Sequence, residues 1–261
     1  MDSAYSAYQR IDVVDDVDGR SLYLDGVPFY RAGDLGAFNG FLADVPAALL
    51  RRPGRALVVG SGSFSSAAFL HRRGYDVTVV ELDGEVARLG FRDFASVHGL
   101  RPGEVRVLIQ DGRSVLARVA PASLDLVVLD VPAPYHVRTA LLHTRSFYRA
   151  VRAALAPGGV VAISLAGDLE GRAGRSIAAS AASIFDDILA VDSRAVGLTM
   201  LYAAQRLPFT AEDLRAELTA RDPTGGRVRD DAAVRRALLG IQPLDRTRLA
   251  AVVWMAWEEL P

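Results

Sequence analysis

"ALVVGSGSFSS", residues 56–66, decides how the chain is read. Its apolar residues come without alternation, so the strand they predict is buried on both faces, as in a parallel sheet covered by helices. The run enters Gly60-Ser61-Gly62-Ser63, and a helix-like stretch then opens with Ser65 or Ser66 near its cap. Glycines in such a turn let a ligand approach the backbone, and a helix start offers unpaired N–H groups. The third glycine of the dinucleotide fingerprint is absent, because Ser65 holds its place. Taken alone, the turn fits a tight connection as well as it fits a ligand cradle.

Working outward, four more apolar runs follow the same rule: residues 76–82, 105–110, 124–130 and 159–165. Between them lie helix-like stretches such as "SSAAFLHRRG" and "RSFYRAVRAALAPGG". This alternation predicts a doubly wound, Rossmann-like α/β sheet over residues 51–206. Ahead of it, "RIDVVDD" and "RSLYLDG" flank Asp18-Gly19, a pair that accepts the backbone angles of a tight hairpin. Residues 34–50 have helical spacing, with Pro46 expected to start or kink the second half. Beyond residue 165, "DILAVDS" and "GLTMLYAAQ" read as a closing antiparallel hairpin. Residues 207–261 read as a helical extension whose first helix is capped by Thr210, with "DPTGGRVRDD", residues 222–231, as a loop. The expected units are thus 1–50, a β-hairpin and lead-in helix, then 51–206 and 207–261.

Composition removes several chemistries. There is no cysteine, which excludes disulfides and thiolate sites. There is no lysine either, so Schiff-base catalysis and a P-loop lysine are out. The net charge of -1 and the absence of a basic run give no sign of a nucleic-acid surface. His71, His98, His136 and His143 lack ligand spacing, so no metal is expected. The longest apolar runs fall short of the roughly 18 residues that a bilayer crossing needs. The N-terminus has no basic segment leading into an apolar one, and the protein is expected in the cytoplasm.

The strand ends carry the chemistry. Glu81 closes the second strand 21 residues after Gly60, where a carboxylate can accept both hydroxyls of a ribose. Leu82 follows it. Asp111 and Gly112 end the third strand, where an acid can accept from an adenine amine and a glycine leaves room for the ring; a helix cap explains the pair equally well. Asp130 ends the fourth strand. Pro132 and Pro134 then keep the chain from promptly becoming helix, so the carboxylate stays beside the crevice in which open α/β sheets bind ligands.

Together these pieces resemble the spermidine synthase (polyamine aminopropyltransferase) family, within the class I methyltransferase-like fold. The matching stretches are "YSAYQRIDV", "LYLDG", "VVGSGSFS", "VVELD", "QDGRS", the Asp130 loop and "HTRSFYRAVRAALAPGGV". The resemblance implies that Gln9 and Gly60 to Ser63 meet the methionine-derived part of an adenosyl sulfonium donor. It further assigns Glu81 and Leu82 to the ribose side, Asp111 and Gly112 to the adenine, and Asp130 to the reacting amine.

Three positions depart from the family pattern. Ser63 stands where the family has an acid facing the donor's ammonium, Ala133 where it has a second loop acid, and Phe38-Asn39-Gly40 where it has Tyr-His/Gln-Glu. Each lost charge-assisted hydrogen bond is worth about 1.5–3 kcal/mol, so losing two at Ala133 and Gly40 costs a polycation roughly two to four decades of affinity. With Tyr135 close by in the loop, Phe38, Asn39 and Ala133 are expected around the acceptor. The resulting expectation is a transferase moving a methyl or aminopropyl-type group to a small amine other than a standard polyamine. Ser63 leaves both S-adenosylmethionine and its decarboxylated form open, with a slight lean to the former. Two alternatives stand: a polyamine aminopropyltransferase whose acceptor contacts come from Asp34, Asp44, Asp168 or Glu170, and a nucleoside-binding protein without turnover. The family further implies a homodimer.

Overall fold

The computed structural model describes residues 1–261 apart from 18, 133, 135, 166, 195, 222–225 and 259–261. Two sheets organise it. The first is antiparallel and joins β1 (Asp2–Tyr5), β2 (Arg10–Asp16), β3 (Gly19–Leu24) and β4 (Val27–Arg31) in that order. The predicted hairpin is β2–β3, with Asp16 opposite Gly19; Asp18 lies outside the described residues. A second tight turn was legible but not read: Asp25 and Gly26 both have positive φ, 50° and 80°, as a two-residue hairpin turn requires, and they fold β4 back on β3.

The second sheet holds β5 (Arg55–Gly60), β6 (Asp76–Glu81), β7 (Arg106–Ile109), β8 (Leu124–Asp130), β9 (Leu155–Ser164), β10 (Asp187–Ser193), β11 (Leu198–Ala204) and β12 (Gly226–Arg229). Its spatial order is β12-β10-β11-β9-β8-β5-β6-β7. The five strands predicted from apolar runs are the parallel ones, β5 to β9. Val58, Leu126 to Leu129 and Val160 to Ile163 are fully buried, which is why the runs of β5, β8 and β9 do not alternate; the run of β7 departs from the expectation, because this strand is at the sheet edge with Val107 and Ile109 exposed. The expected hairpin of β10 and β11 continues the sheet in antiparallel fashion from β9.

One expectation fails. The loop assigned to residues 222–231 contains β12, which pairs antiparallel with β10, so the sheet receives a strand from the C-terminal segment. A four-residue strand that starts on a glycine is too short to show a period. What holds the strand is tertiary: Arg229 pairs with Asp192 of β10 at 2.6 Å and with Glu170 at 3.0 Å.

The lead-in helix is continuous but bulged. Helix Leu35–Asn39 passes into a π-turn, Gly40–Asp44, and then helix Val45–Leu49. Pro46 has no N–H to give the carbonyl four residues back, and the turn just before it widens, with Val45 N–H bonding Gly40 O. Asn39, at the edge of that bulge, is fully buried.

Candidate functional site

Because β5 and β8 are neighbours while their connections run to opposite faces, the crevice opens between their carboxyl ends. Gly60 and Asp130 sit opposite each other there. Gly60 has φ +86°, and a Cβ on it would lie 2.0 Å from Asp130 O, so both backbone and space require glycine. Ser61 (φ 68°) and Phe64 (φ 61°) are left-handed as well, at about 1–3 kcal/mol each. Burial of Phe64 edge-on to Phe91, ring centroids 5.2 Å apart, helps to hold that turn.

Neither Ser65 nor Ser66 caps the helix that follows. Phe64 occupies the cap position, and both serines are buried in the first turn of helix Ser65–Arg72. Gly62 also has a packing reason: its Cβ would meet Val86 Cγ1 at 2.6 Å, and a Cβ on Gly90 would lie 1.5 Å from Gly62 O, so helix Gly84–Asp93 rests directly on the turn.

Two cavities meet at the crevice. One of about 640 Å³ is lined by Gly60, Glu81, Leu82, Asp111, Gly112 and Asp130, which brings part of the predicted donor set together; Ser61, Gly62 and Ser63, expected at the donor too, line the other cavity instead. The other, about 560 Å³, is lined by Phe38, Asn39, Ser61, Gly62, Ser63 and Asp130. Gln9, Asp25, Phe29 and Asp130 border both. Ala133 and Tyr135, expected at the acceptor, lie outside the described residues.

Electrostatics distinguish the carboxylates. Burial pushes Glu81 up to about 7, with Asp83 and Asp130 adding repulsion against the N–H groups of Asp83 and Leu82. Burial likewise pushes Asp130 up to about 6, opposed by the Ser61 and Ser66 hydroxyls. Of these two, only Ser66 makes a hydrogen bond of normal geometry, 3.2 Å to Oδ2; Ser61 Oγ has no partner of that kind. Asp111 behaves as the cap reading anticipated: it accepts from Arg113 N–H at 2.8 Å, and the Arg113 guanidinium holds its carboxyl below the usual range. Gly112 needs no ligand to explain it, since a Cβ would lie 2.6 Å from Val59 Cγ1.

Gln9, which borders both cavities, is anchored to the start of helix Gly84–Asp93. Its Nε2 donates to Asp83 Oδ2 at 3.1 Å, and Ser6 Oγ donates to the same oxygen at 2.6 Å. Asp83 therefore ties the N-terminal sheet over the donor cavity while capping helix Gly84–Asp93 through Glu85 N–H. The sequence reading passed over it, although an Asp-Gly pair after a strand is a cap signal. It also passed over Tyr30, whose buried hydroxyl lines the second cavity without a hydrogen-bond partner, and His136, which borders both.

Of the four acids considered as substitute acceptor contacts, only Asp34 lines the second cavity. Asp44 is engaged by Arg73 and Arg221. Asp168 accepts the N–H groups of Glu170 and Gly171 at 2.9 and 2.7 Å, and Glu170 pairs with Arg229. Among the described residues no cluster of His, Cys, Asp or Glu is arranged to hold a metal ion, and no helix is long and apolar enough to cross a membrane.

Comparison with known proteins points the same way. The family described as the spermine/spermidine synthase domain matches residues 37–168. A polyamine aminopropyltransferase of Nitrosomonas europaea is 30% identical over 166 residues, 62% of this chain and 50% of that protein. One from Mycobacterium tuberculosis is 35% identical over 166 residues, 61% of this chain and 31% of that protein. The chain thus spans half or less of the length of these relatives. Among solved structures, a spermidine synthase in complex with the transition-state analogue AdoDATO aligns with TM-score 0.73 at 19% identity, over 100% of this chain and 85% of that one. A probable spermidine synthase from Corynebacterium glutamicum aligns with TM-score 0.72 at 21% identity, over 93% and 95%.

Proposed function

Since the chain belongs to the spermine/spermidine synthase domain family, we propose that it transfers an aminopropyl group from decarboxylated S-adenosylmethionine to a diamine. The observation that carries this reading is the meeting of two cavities at one largely buried carboxylate, Asp130. The larger cavity takes the adenosyl donor, with Glu81 at the ribose and Asp111 at the adenine edge. The smaller takes the amine. Asp130 accepts a proton from the incoming ammonium, which leaves a neutral amine to form the new C–N bond. The C–S bond breaks, its electron pair goes to sulfur, and methylthioadenosine leaves; the sulfonium's positive charge ends on the product ammonium. An acid raised to about 6 by burial suits this task, because it is charged at neutral pH yet basic enough to hold a proton.

The sequence pointed to an acceptor less cationic than a polyamine and leaned to S-adenosylmethionine. The family and the activity named for the relatives favour the polyamine reading and the decarboxylated donor instead. Asp25 and Asp34, both bordering the second cavity, are the acids offered to a distal ammonium. The test is direct. Protein incubated with decarboxylated S-adenosylmethionine and putrescine should release methylthioadenosine, and D130N should slow release by roughly 10² to 10⁴. S-adenosylhomocysteine formed from S-adenosylmethionine would point to methyl transfer. Stabilisation by methylthioadenosine with no product from any donor and amine pair would make this a nucleoside-binding protein.

A further inference from the structure

Ser66 lies between two acceptors. Its Oγ is 2.5 Å from Asn39 Oδ1 and 3.2 Å from Asp130 Oδ2. A hydroxyl carries one proton and can give it to only one of them. The amide orientation of Asn39 is fixed, because its Nδ2 donates to Leu35 O at 2.9 Å; turning the amide would set two oxygens against each other there. Asn39 and Ser66 are both fully buried, so water does not compete for these bonds. Each is held by its backbone as well: Asn39 by the edge of the π-turn, and Ser66 by the first turn of its helix.

The geometry points to Ser66 as a two-position hydroxyl that positions Asp130, donating to Asn39 while Asp130 holds a proton and to Asp130 while that carboxylate is charged. In the first state the Asp130 O–H faces the cavities that this residue lines, and the Ser66 proton goes to Asn39 Oδ1. In the second the Ser66 O–H turns to Asp130 Oδ2 and Asn39 Oδ1 loses its partner. Asp130 thus has a donor while it is charged, and the atom left without a partner in that state is the neutral Asn39 Oδ1 rather than the carboxylate. The inference builds on the reading of Asp130 as proton acceptor, but its test does not require activity.

Asn39 and Ser66 pull Asp130 in opposite directions. Ser66→Ala removes the donor to the charged form, whereas Asn39→Leu removes the competing acceptor and leaves the hydroxyl free for Asp130 at every pH. Other titratable or charged groups near Asp130 are Tyr30 of β4 and Glu81 of β6, which feel its charge, and His136, Asp25, Arg31 and Asp34, which line a cavity with it. Neither substitution alters any of them. Asp130 is followed by its side-chain carboxyl carbon signal in ligand-free protein labelled with 13C-aspartate, assigned against D130N. The expected midpoint rises by about 0.5–1 pH unit in Ser66→Ala and falls by a similar amount in Asn39→Leu, the shift one hydrogen bond produces. Ser66→Thr, which keeps the hydroxyl, should restore the wild-type midpoint. Shifts of the same sign, or an unmoved midpoint in Ser66→Ala with native circular dichroism, would overturn the proposal; the latter result decides alone if Asn39→Leu fails to fold. Absence of aminopropyl transfer in the wild type would refute the functional reading and leave this titration intact.

Discussion

Replacing Asp130 by Asn should make the protein more stable at the pH where it makes it inactive. The carboxyl is raised from 3.8 to about 6, chiefly by burial. A raised carboxyl means that the folded state binds its proton more tightly than the unfolded chain does, so stability falls as pH climbs through that window. Below about pH 4 both states are protonated and no penalty exists; above about pH 6 the penalty is complete. A difference of roughly 2 units at 1.36 kcal/mol each makes it about 3 kcal/mol. Asparagine has nearly the same shape and no charge. D130N should therefore gain about 3 kcal/mol at pH 8 relative to wild type, or about 5–10 °C in Tm for a chain of this size. The gain should vanish near pH 4. Differential scanning fluorimetry across that range reads it directly, with methylthioadenosine release measured in parallel. If the difference stays flat with pH, or if D130N is the less stable protein at pH 8, the idea that the fold holds this carboxylate at a cost is wrong.

Three further outcomes can be checked. Gly60→Ala forces a Cβ to within 2.0 Å of Asp130 O at φ +86°, so it should cost more than about 2 kcal/mol and lower both Tm and donor affinity. Asp34→Asn removes a solvent-facing acid at the second cavity, and should raise KM for a diamine by up to about fivefold with kcat unchanged, the worth of one exposed ion pair. Asp83→Ala deletes the acceptor shared by Ser6 and Gln9 and a helix cap worth about 1 kcal/mol, so limited proteolysis should cut residues 1–31 faster and calorimetry should find weaker methylthioadenosine binding.

A raised acid, two strained residues in the glycine turn and an orphaned Tyr30 hydroxyl all fall at one place in the fold. Each opposes stability, and each lies where a donor and an amine are proposed to meet. Stability sacrificed locally in this way accords with a site organised for ligands rather than for packing.

The sequence by itself determined the parallel core, because β5, β6, β8 and β9 are buried on both faces and show it as unbroken apolar runs; only the edge strand β7 carries such a run while exposed. It also determined the positions of Gly60, Glu81 and Asp130, which each end one of those strands, and of Asp111, two residues beyond the end of β7, since strand ends are marked by where the runs stop. Only the tertiary structure decided what each of these residues touches. Asp111 is bound by its own neighbour Arg113, Gln9 reaches Asp83 across 74 positions, and Ser66 links Asn39 to Asp130. β12 was illegible for the same reason, being a strand through its pairing with β10 and not through any pattern of its own. Apolar periodicity records which face of a segment is buried, whereas a hydrogen bond between distant residues depends on how whole elements dock, and that leaves no local mark in the chain.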